Sequence, residues 1–383
     1  MVQENLTQKI QAPKVRSSNL EFYRIISMIL IIAHHYVVNS GLTSANGPVY
    51  SDPLSWRSIF LLLFGAWGKT GINCFVLITG YFMCKSQITV KKFVKLLGEI
   101  MFYRIVISAI FWITGYAEFS IVECIKTLIP ITSIDTGFTS TYLVFFLCIP
   151  FLNVLVNAMT EKQHIKLLLI CSFTYIFLGT VPKFSVTMNY VSWFIVLYFI
   201  SSYIRLYPKR IFSNTKVWGW LTLTTLFVSA ISVVACVWLG TKLNRNMAFE
   251  FVTDSNTFLA VALGLFSFMF FKNIKMKNNK FVNAVASTMF GVLLIHANSA
   301  TMRAWLWGDL LDNVGIYDSN WMPLHAIGSV VAIFIVCSAI DFLRIKFVEI
   351  PFFKLWDKKW DKVAKKYYDF ENKICKKLDI EEQ

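Results

Sequence analysis

Charge is what this chain has least of. Asp, Glu, Lys and Arg make up 15% of its 383 residues, whereas soluble globular chains carry about 25%. A soluble exterior for a protein of this size is therefore not expected. A disulfide framework is missing too. The eight cysteines (74, 84, 124, 148, 171, 236, 337, 375) fall mostly inside apolar runs, and no C-x-x-C occurs. They read as small buried apolar residues rather than bridges or metal ligands, and no metal is expected. No H-E-x-x-H, G-x-S-x-G, P-loop or G-x-G-x-x-G pattern is present, so metalloprotease, serine-hydrolase and nucleotide-hydrolase chemistry find no support. No small-residue cleavage site follows the first apolar run, which therefore reads as a retained span rather than a signal peptide.

What the chain has instead is apolar length. Hydrophobic residues make up 56%, with 35 Phe and 12 Trp, and they recur in long continuous runs rather than in the alternation of a barrel strand. The expected fold is all-α: a polytopic transmembrane helical bundle of about ten spans, near 20–40, 59–83, 96–116, 138–158, 165–182, 190–206, 217–239, 256–271, 284–306 and 322–344. Gly65, Gly68, Gly71 and Gly80 break the second run, which reads as a re-entrant stretch followed by a shorter helix, tolerable only where it lines a cavity.

Lys and Arg cluster in alternate loops. One set holds Lys9, Lys14, Arg16 and Arg24, then Lys85 to Lys95, Lys162 and Lys166, Arg205 to Lys216, Lys272 to Lys280, and the tail from Arg344. The other holds only Arg57, Lys69, Lys126, Lys183, Lys242, Arg245 and Arg303. This is the positive-inside pattern, and it puts both termini in the cytoplasm of a multi-pass protein of the cell membrane. It also accounts for the net charge of +15 without a nucleic-acid partner. The expected organisation is a cytoplasmic segment 1–18, a membrane domain 19–345, and a basic tail 346–383. In the tail, Phe352, Phe353, Leu355, Trp356 and Trp360 among lysines suggest an amphipathic helix on anionic lipid.

Ionisable groups inside the spans are costly and are functional candidates by default. The sharpest set is on the first span: Glu21, Arg24, His34 and His35. Eleven residues separate Arg24 from His35, within about 20° of three whole turns, so both share a face about 16 Å apart along the axis. That puts Arg24 at the cytoplasmic mouth and His35 near mid-membrane. Glu21, three residues earlier, can pair with Arg24. His34 points elsewhere and is the weaker candidate. A neutral imidazole at depth can take a proton from a hydroxyl, and a guanidinium can hold a phosphate at the inner face. Glu99 and Arg104 lie in the third span, where Lys95 can neutralise Glu99 and Arg104 has no evident helix partner. Asn73 and Thr79 read first as glue between helices. His296, with Asn298 and Arg303 close by, falls toward the outer half of the ninth span, where it could meet an acceptor. His164 and His325 are assigned no role.

Several of these segments together resemble the acyltransferase-3 family of integral-membrane acyltransferases, in particular its bacterial polysaccharide O-acetylating branch. Arg24-x10-His35 matches the family's first-helix motif. Gly68-Lys-Thr-Gly-Ile-Asn-Cys-Phe-Val-Leu-Ile-Thr-Gly-Tyr-Phe is similar to its G-x-x-G-V-x-x-F-F-x-x-S-G-F. Pro150 to Asn153, the stretch from Trp193, Ser287 to His296, and Asp341 to Arg344 with Glu349 to Pro351 follow in the family's order. The resemblance spans about residues 19–355. It implies acyl-CoA, most simply acetyl-CoA, as a donor substrate taken from the cytoplasm, with no bound cofactor. The acceptor would be a cell-surface glycan or its lipid-linked precursor. His35 would be the base or acyl relay, and Arg24, with Glu21, its partner in donor binding. Where family members often carry R-x-x-R, this chain has Lys91, Lys92 and Lys95. With Arg104 these are the expected acyl-CoA contacts, and His296 and Arg303 the expected acceptor contacts. Lysine lacks the bidentate fork, so phosphate recognition would be more point-like, and a plain positive-inside anchor is an equal reading. The 383 residues include no appended esterase-like domain, so the membrane domain is expected to deliver directly or hand over to a separate protein. The competing function is a transporter or flippase of glycan precursors, but the internal repeat with paired broken helices typical of transporters is not evident.

Overall fold

The structure, a computed structural model, describes residues 16–131, 137–181 and 189–377. Lys9, Lys14 and the rest of the first fifteen residues, Lys183, and the tail end 378–383 lie outside the described residues. Every regular element among those described is helical. Helix α1 (Ser18–Val38) ends where Gly41 takes a positive φ of 86°, a conformation glycine adopts at little cost. The span therefore stops before Asn39, and His35 falls in the last helical turn rather than at the middle of the run.

The glycine-rich second run corrects its expected shape. Trp56–Gly65 (α2) and Gly68–Met83 (α3) form one apolar span of 28 residues, interrupted only at Ala66 and Trp67. The glycines serve close approach rather than a re-entrant turn. A Cβ at Gly65 would come within 2.8 Å of Val37, one at Gly68 within 2.3 Å of His34, and one at Gly71 within 2.8 Å of Ile31. A spacing of three keeps these positions on one helix face, and small residues there let α1 lie against the backbone.

Val90–Ile113 (α4), the short Ile121–Leu128 (α5) and Phe138–Ala158 (α6) follow, then α7 (Glu161–Thr180), opened by a capping box between Thr160 and Gln163. Next come α8 (Tyr190–Leu206), α9 (Thr215–Leu243), α10 (Phe258–Asn273), α11 (Lys280–Ala286) and α12 (Met289–His296). Ala300–Ala304 (α13), Met322–Arg344 (α14) and Ile350–Lys377 (α15) complete the chain. Helix α3 is central, packed against α1, α8 and α10. Asn73 ties this centre together: its amide donates to the carbonyl of Ser255 at 2.7 Å and its oxygen accepts from Trp193 Nε1 at 3.0 Å.

Seven helices among the described residues are long and apolar enough to cross a membrane. An eighth span is formed if Lys280–His296 and Ala300–Leu310, bent by 93°, are taken together. Helices α8 and α10, expected as full spans, are only 17 and 16 residues long, about 24–26 Å. The outward face of α9 reads Trp220, Leu223, Phe227, Ile231 and Trp238, all exposed, as befits a helix facing lipid tails. This is a membrane protein.

Contacts divide the chain into residues 1–337 and 338–383. The second unit holds the end of α14 and the tail helix α15. Within it, Arg344 binds Asp341 at 2.6 Å and Glu349 at 2.9 Å, and Trp356 stacks on Trp360 at 4.9 Å between ring centres.

Candidate functional site

The two ends of α1 carry different chemistry. In its last turn, His35 Nδ1 is 3.0 Å from His296 Nε2 at the end of α12. His296 is fully buried, and its Nδ1 is 2.6 Å from the carbonyl oxygen of Val292, one turn back on its own helix. A carbonyl oxygen only accepts, so His296 Nδ1 carries a hydrogen and donates it. In the neutral ring Nε2 is then the acceptor. His35 Nδ1–H therefore donates to His296, and the hydrogen-bond network leaves the lone pair of His35 on Nε2. The fully buried Trp307 lies edge-on to His296 at 6.5 Å. Lys69 and Arg303 lie close enough to His35 to act on it electrostatically.

His34 turns the other way. Its Nδ1 bonds the carbonyl of Gly65 at 2.6 Å, and its ring fills the space that the missing side chain of Gly68 leaves. It is a packing histidine that locks α1 onto α2 and α3. His164 and His325 are likewise tied within the fold, His164 to the carbonyl of Phe199 at 3.0 Å and His325 to the hydroxyl of Tyr36 at 2.9 Å.

Near the start of α1, Arg24 Nη1 pairs with Glu21 at 2.8 Å, the i,i+3 geometry its sequence spacing anticipates. Glu21 is almost buried and Arg24 half-exposed. Tyr142 lies within electrostatic reach of both Arg24 and Glu99, and its hydroxyl meets that of Thr79 at 3.1 Å. Beside this cluster the Tyr23 hydroxyl is 2.6 Å from both Cys74 Sγ and Ser267 Oγ, a buried polar tie joining α1, α3 and α10.

The lysines and Arg104 on α4 are kept apart. Lys91, Lys92 and Lys95 occupy its first two turns, and Lys92 Nζ reaches back to Ser86 Oγ at 2.7 Å and the Gln87 carbonyl at 2.6 Å. Arg104 lies twelve residues on, about 18 Å along the axis. Its guanidinium donates to the carbonyls of Lys126, Thr127 and Ile129 at 2.6–3.0 Å, the unsatisfied end of α5. Thus Arg104 and the lysines do not meet. His296 and Arg303 flank the bend after α12, with His296 against His35 and Arg303 half-buried on α13. The His35–His296 contact and the place of Tyr142 are the parts of the site that sequence reasoning did not supply. Among the described residues, no three His, Cys, Asp or Glu side chains converge as a metal site.

Compared with known proteins, a family model described as an acyltransferase domain, that of the acyltransferase-3 family, matches residues 17–342. No curated protein and no solved structure matches.

Proposed function

The chain belongs to the acyltransferase-3 family, and from that premise we propose that it moves an acyl group, acetyl first, from cytoplasmic acyl-CoA to a hydroxyl of a cell-surface polysaccharide or its lipid-linked precursor. The observation that carries this reading is the histidine pair: His35 Nδ1 held at 3.0 Å by His296, with Nε2 left as a base. A base oriented by a third group is the arrangement acyl transfer uses.

In the proposed step the acceptor hydroxyl gives its proton to His35 Nε2 as its oxygen attacks the thioester carbonyl. The C–S bond then breaks, and the departing thiolate takes the proton back from His35, leaving an ester and free CoA. Arg24, kept in place by Glu21, holds the anionic part of the donor at the inner end of α1, with Lys91, Lys92 and Lys95 as point charges at the same face. Arg303 serves the acceptor end. The plasma membrane, where cytoplasmic donor and surface glycan meet across one bilayer, is the fitting location.

The test uses purified protein in liposomes with radiolabelled acetyl-CoA and a crude surface-glycan extract. Label is expected on the glycan with the wild-type chain and not with His35→Ala. Transfer by the His35→Ala variant at the wild-type rate would refute the assignment. Absence of any CoA-thioester turnover or binding would favour a flippase of glycan precursors.

A further inference from the structure

From the end of α14 the chain passes through a π-helical turn, Ile345–Glu349, into α15 with no linker between them. Helix α15 is 28 residues long, about 42 Å. Its apolar residues follow a strict order. Phe353, Trp360, Tyr367 and Ile374 are spaced by seven, and Trp356, Val363 and Phe370 each come three residues after one of them. This is the alternating three-and-four spacing of heptad a and d positions. It holds for three heptads, the length at which such a seam begins to argue for a coiled coil. The seam is open at its far end, where Phe370 and Ile374 stand exposed.

We propose that α15 pairs with α15 of a second copy of this chain as a parallel two-stranded coiled coil. The charges beside the seam carry the choice of partner. The g positions are Lys359, Lys366 and Lys373, and the e positions are Asp357, Ala364 and Glu371. In a parallel pair each g position faces the e position of the next heptad across the seam. Lys366 then falls opposite Glu371 of the other copy, twice by symmetry, and Lys359 opposite Ala364, so no like charges meet. In an antiparallel pair g faces g, and lysines would oppose lysines. Parallel is also the only arrangement open to two copies inserted the same way in one bilayer, because each tail is joined directly to a span. That shared anchoring raises the effective concentration of the two helices, which a seam of three heptads needs.

An anionic lipid surface suits the composition of the tail but not its charge order. A helix lying on such a surface is served by cations along both borders of its apolar face. Here one border is basic and the other carries Asp357 and Glu371, which anionic headgroups would repel. Against a second copy the acidic border of each helix meets the basic border of the other.

The test uses the full chain in vesicles, with donor and acceptor dyes on the C-termini of separate copies, and light scattering in detergent to count copies. Energy transfer is expected in phosphatidylcholine vesicles with or without phosphatidylglycerol, and a protein mass of twice 44.1 kDa. Trp360→Lys with Ile374→Lys places cations in the seam and should abolish the transfer. Lys366→Glu opposes glutamate to glutamate and should weaken pairing about tenfold. Adding Glu371→Lys to it should restore pairing, which a variant that merely unfolds the tail would not do. Absence of energy transfer in vesicles, transfer that the seam variants leave unchanged, or failure of the double charge exchange to restore it would overturn the proposal. Transfer that phosphatidylglycerol abolishes would do so too, and would assign the tail to the lipid surface.

Discussion

Replacing His296 separates a base that is merely present from one that is held. His296→Leu keeps a side chain of similar bulk but removes the acceptor of the His35 Nδ1–H bond. In the resting site that bond is neutral and contributes about 0.5–1.5 kcal/mol. As His35 Nε2 takes a proton the ring becomes an imidazolium, and the same bond becomes charge-assisted, roughly twice as strong. The difference felt only in the transition state is thus about 0.5–1.5 kcal/mol, or about 2- to 13-fold in kcat. Donor KM should not change, because Arg24 is about 16 Å away along α1. His296→Gln offers an amide oxygen near the position of Nε2 and should recover to within about threefold of wild type. Single-turnover transfer from labelled acyl-CoA reads the step directly. Wild-type kcat in the Leu variant, or a Gln variant no better than Leu, would refute the hydrogen-bond assignment.

Gly68→Ala forces a Cβ to within 2.3 Å of His34, so it should cost about 1–3 kcal/mol and slow transfer by displacing α1; an unchanged melting temperature in detergent would count against this packing. Arg104→Met should free the end of α5 and raise proteolysis between residues 114 and 131 while leaving acyl-CoA affinity unchanged; a loss of affinity would return Arg104 to donor binding. Arg344→Met leaves the fully buried Asp341 without its guanidinium and should destabilise by about 3–5 kcal/mol, measured as a fall in thermal midpoint.

Much of the scaffold was legible because burial in lipid leaves a local mark. Helices occupy most of the anticipated apolar runs, the second as two helices and the ninth as a pair bent by 93°, and the Glu21–Arg24 pair and the common face of Arg24 and His35 follow from helical phase alone. What was not legible depends on what lies opposite. His296 is 261 positions from His35, and no periodicity links them. Gly65, Gly68 and Gly71 have one spacing whether they break a helix or admit a neighbour; only the presence of α1 against them decides. The partners of Arg104 are backbone carbonyls, which every residue has and no sequence advertises.

The spacing along α1 bears on how a group crosses a bilayer. Arg24 and His35 are fixed on one continuous helix, about 16 Å apart, and α1 is clamped to α3 by contacts too close to slide past. Neither end can approach the other, so on the proposed function the donor has to bridge them: its charged head rests at one end while a thin arm carries the reactive carbon to the other. The substrate supplies the reach, and the protein need not rock between inward and outward states as a carrier does. Donors truncated within that arm should then lose turnover more than they lose binding of the head.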